Sequence, residues 1–206
     1  MRDFRVAHGA TELLLVRHAE AEPMPPGETN EPKDVDMPLS ARGRSQAAAL
    51  ASRLAKREIG AIYASNLRRA RETAEAIAAT TGAGLALDDR LREVEIAGVG
   101  PVAMHDLAEI AVAHGGWSHL AGTESSQAIR SRMREAIDAI VGAHPSARVA
   151  IVSHAGAINA YIAALLGLES NFFFPAGNTS ISIVRARDTR RLLVTINDIA
   201  HLEYAR

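Results

Sequence analysis

Residues 12–18 read ELLLVRH, a short apolar run that ends on an arginine and a histidine. A run of this length, followed by turn-forming residues, is typical of a strand buried in the middle of a sheet. Residues 148–154, RVAIVSH, have the same form. Each predicted strand is thus followed at once by a histidine, His18 or His154. Ligands of parallel α/β sheets bind beyond the carboxyl ends of the strands, so the two imidazoles converge if these strands are neighbours.

The rest of the chain alternates predicted helices with predicted strands. Helices are predicted from Ser40 to about residue 57 and over residues 66–80, 102–113, 126–142 and 156–166. Further strands are predicted over residues 61–64 and 85–87, with a terminal hairpin over 179–185 and 191–195. The proline-rich residues 21–38 are predicted to be a long loop. This alternation predicts an α/β fold, a three-layer sandwich whose mostly parallel central sheet carries an antiparallel edge hairpin. We expect a single domain over residues 1–206, with 1–11 as a loose lead-in.

Composition excludes several classes of function. The chain has 206 residues, 48% of them hydrophobic, a formal net charge of -1 and no cysteine. Without cysteine there is no disulfide, no thiolate metal site and no cysteine nucleophile. Near-neutral charge argues against a nucleic-acid ligand held by bulk charge. No apolar run is long enough to span a membrane and no signal region precedes the first strand, so we expect a cytoplasmic protein without membrane contact.

Arg17 and His18, at the end of the first strand, are suited to phosphoryl chemistry. A neutral imidazole is a competent nucleophile towards phosphorus, and a guanidinium neutralises phosphoryl oxygens. Alone, the pair could equally be a polar strand end. His154, taken by itself, could equally be a buried core histidine.

A second set of charges follows the strand at residues 61–64. Residues 64–74 read ASNLRRARETA, in which Ser65 or Asn66 can cap a helix whose N-terminus favours an anion. The cations near this end are Arg68, Arg69 and Arg71. Helical spacing places Arg68 and Arg71 on one side, so Arg69 can face a pocket. Gly156 opens another helix whose free amides can point at the same anion.

Residues 91–95, LREVE, contain two acidic residues that are candidate proton donors for the leaving group. A carboxylic acid near the site could protonate the leaving oxygen. Chemistry alone does not separate Glu93 from Glu95.

Together these segments resemble the histidine phosphatase superfamily, the phosphoglycerate mutase-like proteins. The resemblance covers nearly the whole chain, through VRHAE (16–20), PLSARGRSQA (38–47), ASNLRRARETA (64–74), LREVEIAG (91–98) and VSHAGAINAYIAALLG (152–167). It implies that His18 attacks phosphorus and forms a phosphohistidine, while Arg17, Arg69 and His154 bind the phosphoryl oxygens. It also implies that Glu93 protonates the leaving alcohol. The implied activity is that of a metal-independent phosphatase, without a cofactor, on small phosphorylated substrates.

Two other activities remain as alternatives, a phosphoglycerate mutase-type phosphotransferase and a phosphoprotein phosphatase. A mutase must retain a bisphosphate, and residues 98–123 contain no basic cluster for a second anion. The family's usual hydroxyl residue is replaced here by Ala21, which also weakens the mutase prediction. Residues of 98–123 could form a substrate wall or pack ordinarily, namely Met104, His105, His114, Trp117 and His119. Residues 172–174, FFF, are expected in the core or between two copies, which leaves a homodimer open.

Overall fold

The computed structural model describes residues 9–23, 36–95, 109–111, 113–117, 119–120 and 122–203. In chain order the elements are β1 (Thr11–Arg17), α1 (Ala41–Leu54), β2 (Ala61–Ala64), α2 (Arg68–Thr81), β3 (Leu85–Leu87), a 3-10 turn (Asp89–Leu91), α3 (Ser126–Ala143), β4 (Arg148–Ser153), α4 (Ala155–Leu166), β5 (Ile181–Arg187), β6 (Arg190–Asp198) and α5 (Ala200–Glu203). Most of the predicted loop 21–38 and of the predicted helix 102–113 lies outside the described residues. Within those residues, no helix has the length and apolar character needed to cross a lipid bilayer.

One six-stranded sheet organises the described part of the chain, in the order β3-β2-β4-β1-β5-β6. The pairs β2–β3, β2–β4 and β1–β4 are parallel, and β5 and β6 join antiparallel at one edge. This confirms the predicted α/β architecture with its edge hairpin. Because β1 and β4 are neighbours, with Arg17 opposite Ser153, the two histidines that follow them lie at the same sheet edge.

Helices cover both faces of the sheet and make three layers. Leu14 and Val16 of β1 pack in a cluster with residues of α1 and α2, whereas Leu13 and Leu15 pack with residues of α3 and α4. All four side chains are buried. A strand covered on both faces needs apolar residues at successive positions, which is why residues 13–16 do not alternate with polar ones.

Helix ends were predicted less accurately than helices. Ser40 caps α1, its Oγ accepting a hydrogen bond from the Gly43 amide, but α1 ends at Leu54 and not near residue 57. The prediction that Ser65 or Asn66 caps α2 was wrong: Leu67 occupies that position and no side chain caps the helix. The Ser65 hydroxyl instead lies 2.9 Å from His154 Nε2, so it belongs to the cluster at the sheet edge.

Candidate active site

His18 and His154 meet at the carboxyl edge of the sheet. The His18 amide donates to the carbonyl of Ser153 at 2.9 Å, which continues the β1–β4 pairing past the strand ends. The two ring centroids are 5.0 Å apart, and both side chains are buried. The convergence expected from the two strand ends is therefore present.

The hydrogen bonds of His18 define which nitrogen is free to react. Nδ1 lies 2.7 Å from the Ala19 carbonyl oxygen, which can only accept, so Nδ1 carries the hydrogen. Nε2 then carries the lone pair, and Arg69 Nε donates to it at 3.2 Å. Burial, followed by the charges of Arg69 and Arg17, lowers the pKa of His18 well below its ordinary value of 6.5. The imidazole is thus neutral at physiological pH, with its lone pair on Nε2.

Two half-buried guanidiniums flank the imidazoles. Arg17 Nη1 donates to the Ala176 carbonyl at 2.6 Å, while its buried Nε has no hydrogen-bond partner among the described residues. Burial lowers the pKa of both Arg17 and Arg69, and the charge of Glu93 raises it in each case. Both side chains therefore lie close enough to Glu93 for electrostatic coupling.

Of the three arginines at the start of α2, only Arg69 points into this cluster. Arg68 pairs with Glu72 at 2.7 Å and Arg71 with Glu75 at 3.7 Å, both one helical turn away along α2. The helical spacing that separated Arg69 from the other two is thus reflected in the structure.

His154 is anchored through one ring nitrogen only. Nε2 lies 2.9 Å from Ser65 Oγ, and buried Nδ1 has no hydrogen-bond partner in the described part of the chain. Ser65 Oγ accepts from the Leu67 amide at 3.3 Å, which leaves the hydroxyl hydrogen for His154 Nε2. In that arrangement Nδ1 carries the ring hydrogen and can donate to an anion. Burial lowers the pKa of His154 well below 6.5, and the charge of Arg69 adds to this.

Glu93 lies against the first turn of α4. Its carboxylate accepts from the amides of Ala157 at 3.0 Å and Gly156 at 3.2 Å. The sequence allowed the free amides of this helix to point at a bound anion; in the structure those of Gly156 and Ala157 bind the Glu93 carboxyl group. A Cβ at Gly156 would lie 2.7 Å from Glu93 Oε1, so the absence of a side chain there lets the carboxylate approach.

Glu95 has a different environment. Its side chain is exposed and lies 3.5 Å from Arg92. Of the two acids that the sequence left open, Glu93 is therefore the one whose charge acts on Arg17 and Arg69.

Two polar residues of the site were missed from sequence. Thr73 Oγ1 accepts from the Ala19 amide at 3.0 Å, and Asn178 Nδ2 donates to the His18 carbonyl at 3.0 Å. Thr73 lies one turn after Arg69 on the buried side of α2, a spacing that could have indicated it. Asn178 carried no signal, because its position depends on β5 pairing with β1.

An aromatic side chain stands beside the proposed acid. Trp117 Cζ3 would lie 2.7 Å from a Cβ at Gly156, and the ring packs edge-on against Phe172 with centroids 5.4 Å apart. His114 and His119 contact each other, with centroids at 4.4 Å. Met104 and His105 lie outside the described residues. The buried Phe172 packs within the chain.

Comparisons of the sequence and of the structure with known proteins identify similar proteins over nearly the whole chain. The model of the histidine phosphatase superfamily (branch 1) matches residues 13–199. Phosphoserine phosphatase 1 of Hydrogenobacter thermophilus is 29% identical over 202 residues, covering 93% of this chain and 94% of that protein. A probable phosphoglycerate mutase GpmB of Erwinia tasmaniensis is 31% identical over 185 residues, covering 82% and 85%. The structure of Bacillus stearothermophilus YhfR superposes with a TM-score of 0.77 at 25% identity, over 93% of this chain and 99% of that one.

Proposed function

Since the chain belongs to the histidine phosphatase superfamily and is a phosphomonoesterase, we propose that His18 is the nucleophile that takes the phosphoryl group. The observation that carries the proposal is the state of its ring. His18 is neutral, its Nε2 lone pair is directed towards Arg69, and Nδ1–H is fixed on the Ala19 carbonyl. A buried neutral imidazole between two guanidiniums is suited to attack on a phosphate ester.

In the first half-reaction, His18 Nε2 forms a bond to phosphorus as the bond from phosphorus to the ester oxygen breaks. The electron pair of that bond goes to the leaving oxygen, which takes a proton from Glu93, so that the carboxyl group enters this step protonated and leaves it as a carboxylate. Arg17, Arg69 and Nδ1–H of His154 bind the oxygens of the phosphoryl group. Arg17 Nε and His154 Nδ1, both buried and without a partner among the described residues, supply two of these donors.

In the second half-reaction, water attacks the phosphohistidine and the Nε2–phosphorus bond breaks. Glu93, now a carboxylate, takes a proton from that water, and inorganic phosphate leaves. His18 returns to its neutral form with the Nδ1–H hydrogen bond unchanged. We expect activity to survive EDTA, because the guanidiniums of Arg17 and Arg69 neutralise the phosphoryl charge.

The substrate class that we propose is a small phosphate monoester of an alkyl alcohol, of the kind named in the phosphoserine phosphatase relative. The relative named as a probable phosphoglycerate mutase supports a phosphotransferase as the second candidate. Phosphoprotein phosphatase activity, a cytoplasmic location, a single domain, a homodimer and the lack of a nucleic-acid ligand stay predictions.

The nucleophile is tested by trapping the phosphoenzyme. Wild-type protein mixed with a radiolabelled phosphate monoester and quenched in alkali should carry label on the peptide that contains His18, because phosphohistidine survives base. His18→Ala should carry no label and hydrolyse nothing above background. His114→Ala, which changes an exposed histidine, is the matched control and should label like wild type. Label on any other residue, or turnover by His18→Ala, would contradict the proposal.

The proton donor is tested by comparing leaving groups. Glu93→Gln should lower kcat/KM, which reports the steps up to formation of the phosphohistidine, roughly 10²-fold or more for an alkyl phosphate and far less for an aryl phosphate, whose leaving oxygen needs little protonation. Glu95→Gln is the control and should leave the ratio of the two rates unchanged. Equal losses for both esters, or a larger effect at Glu95, would assign the proton transfer elsewhere.

A further inference from the structure

A buried ion pair lies directly behind Glu93. Arg132, on α3, forms a two-pronged pair with Glu124, through Nε to Oε1 at 2.6 Å and Nη2 to Oε2 at 2.7 Å. The two side chains are only 12% and 9% exposed. Burying such a pair is costly unless every remaining donor is satisfied, so the other partners of Arg132 are informative.

Those partners are all main-chain carbonyls of the segment that carries Glu93. Arg132 Nη1 donates to the carbonyls of Arg90 at 2.8 Å and Arg92 at 2.7 Å, and Nη2 donates to the Glu93 carbonyl at 3.0 Å. With the two bonds to Glu124, the five donor hydrogens of the guanidinium are used. The Glu124 amide adds a bond to the Glu95 carbonyl at 2.8 Å.

We propose that Arg132 and Glu124 are positioning residues that hold Glu93 in place for proton transfer. The inference rests on the proposed role of Glu93 as proton donor. Residues 93–95 form neither helix nor strand, so no sheet or helix hydrogen bonds fix their course. Arg132 fixes the main chain of the segment on one side, and the amides of α4 fix the Glu93 carboxylate on the other. Arg132 thereby acts through Glu93 and does not touch the substrate.

The neighbouring Arg130 provides a matched control. It lies on the same helix and also gathers carbonyls, with Nη2 at 2.8 Å from the Leu168 carbonyl and 2.9 Å from that of Glu169. Its Nε donates to Asn171 Oδ1. Arg130→Met therefore removes a comparable set of hydrogen bonds from the same helix without touching the segment of Glu93.

The experiment measures kcat and KM for an alkyl and an aryl phosphate in Arg132→Met, Glu124→Gln and Arg130→Met, each with and without Glu93→Gln. Arg132→Met should lower kcat/KM for the alkyl ester roughly 10²-fold, as expected for lost proton donation, and leave kcat/KM for the aryl ester within a few-fold. Glu124→Gln should shift the ratio in the same direction by less, because it keeps Arg132 and removes no volume. Arg130→Met should leave the ratio unchanged.

The double variants separate positioning from general damage. If Arg132 acts through Glu93, adding Arg132→Met to Glu93→Gln should cause no further loss for the alkyl ester. Multiplying losses, or equal losses for both esters in folded Arg132→Met, would overturn the positioning role while leaving the donor role intact. A Glu93→Gln single variant without a selective loss would overturn the donor role and this proposal with it. Should Arg132→Met fail to fold, Glu124→Gln gives the same readout, and an unchanged ratio there overturns the proposal.

Discussion

The side chain of His18 is oriented by a carbonyl and activated by a cation. The Ala19 carbonyl holds the hydrogen on Nδ1, and Arg69 lowers the proton affinity of the ring while donating to Nε2. A bound phosphoryl group would compete for the Arg69 guanidinium and release the Nε2 lone pair as it approaches. In the proposed mechanism, Arg69 thus holds Nε2 of His18 before the substrate binds and neutralises the phosphoryl charge afterwards.

Gly156→Ala tests how closely Glu93 must approach α4. The new Cβ would lie 2.7 Å from Glu93 Oε1 and 2.7 Å from Trp117 Cζ3. The Glu93 carboxyl can rotate away, but the Trp117 ring, which packs on Phe172, has to shift, so we expect a loss of about 1–3 kcal/mol in the free energy of unfolding together with a displaced carboxyl. The rate for alkyl phosphates should fall about tenfold or more, with a smaller effect for aryl phosphates. An unchanged ratio of alkyl to aryl rates would mean that this contact does not position the acid.

At the scale of single residues, sequence predicted the members of the site that follow directly from a strand end or a helix face. Arg17, His18 and His154 were located by the ends of two apolar runs, and Arg69 by helical spacing. Without the family resemblance of residues 91–98, the sequence could not separate Glu93 from Glu95. What distinguishes Glu93 is its contact with amides of α4, which are distant in sequence. Asn178 was missed for the same reason.

At the scale of elements, α1 packs on the turn that follows the nucleophile. The contacts converge on Glu20: Ser40 Oγ donates to its carboxylate at 2.8 Å, and Gln46 Oε1 accepts from its amide at 2.9 Å. A Cβ at Gly43 would lie 1.9 Å from the Glu20 carbonyl oxygen. The residues Ser40, Gly43 and Gln46, which stand in one segment of the family resemblance, therefore share one structural task. They fix the chain two residues after His18.

Gly43→Ala and Gly142→Ala form a matched pair, since each places an alanine in a helix. At Gly142 nothing lies within 4 Å of the new Cβ, so the helix propensity of alanine should raise the free energy of unfolding by up to about 1 kcal/mol. At Gly43 the obstacle is backbone, which has to move, so we expect a net loss of about 1–3 kcal/mol and lower activity. Urea unfolding and turnover of an aryl phosphate measure both. Stabilisation by Gly43→Ala would show that α1 can withdraw from Glu20 at no cost.

Helices and strands were predictable from sequence where burial alone determines the spacing of apolar residues. The apolar runs of β1 and β4 and the amphipathic spacing of α1 and α2 reflect burial, which depends on the local sequence. The start of α2 was not predictable, because Ser65 turns its hydroxyl to His154 and the helix begins without a side-chain cap. The contact of Ser65 with His154 thus outweighed the preference of serine for capping a helix.

At the scale of the whole molecule, buried histidines lower the stability of the folded protein in acid. Burial keeps His18 and His154 neutral in the folded protein with pKa values well below 6.5, and it lowers the pKa of His201 to about 4. In the unfolded chain these histidines take up a proton as the pH falls through 6.5. The unfolded state then binds more protons than the folded state, so stability falls as the pH falls.

We therefore expect the free energy of unfolding, measured in urea, to decrease between pH 6 and pH 5, by about 1 kcal/mol for each histidine that stays neutral in the folded protein. The carboxylates whose pKa is lowered, Glu72, Asp88 and Asp198, begin to contribute only below this window, because their ordinary values are 4.5 or less. His18→Asn should make this decrease shallower, since asparagine does not titrate. A slope that is flat in wild type, or identical in His18→Asn, would mean that His18 is protonated in the folded protein. It would then have no lone pair on Nε2 at those pH values, and the neutral ring that the proposed nucleophilic attack needs would form only at higher pH.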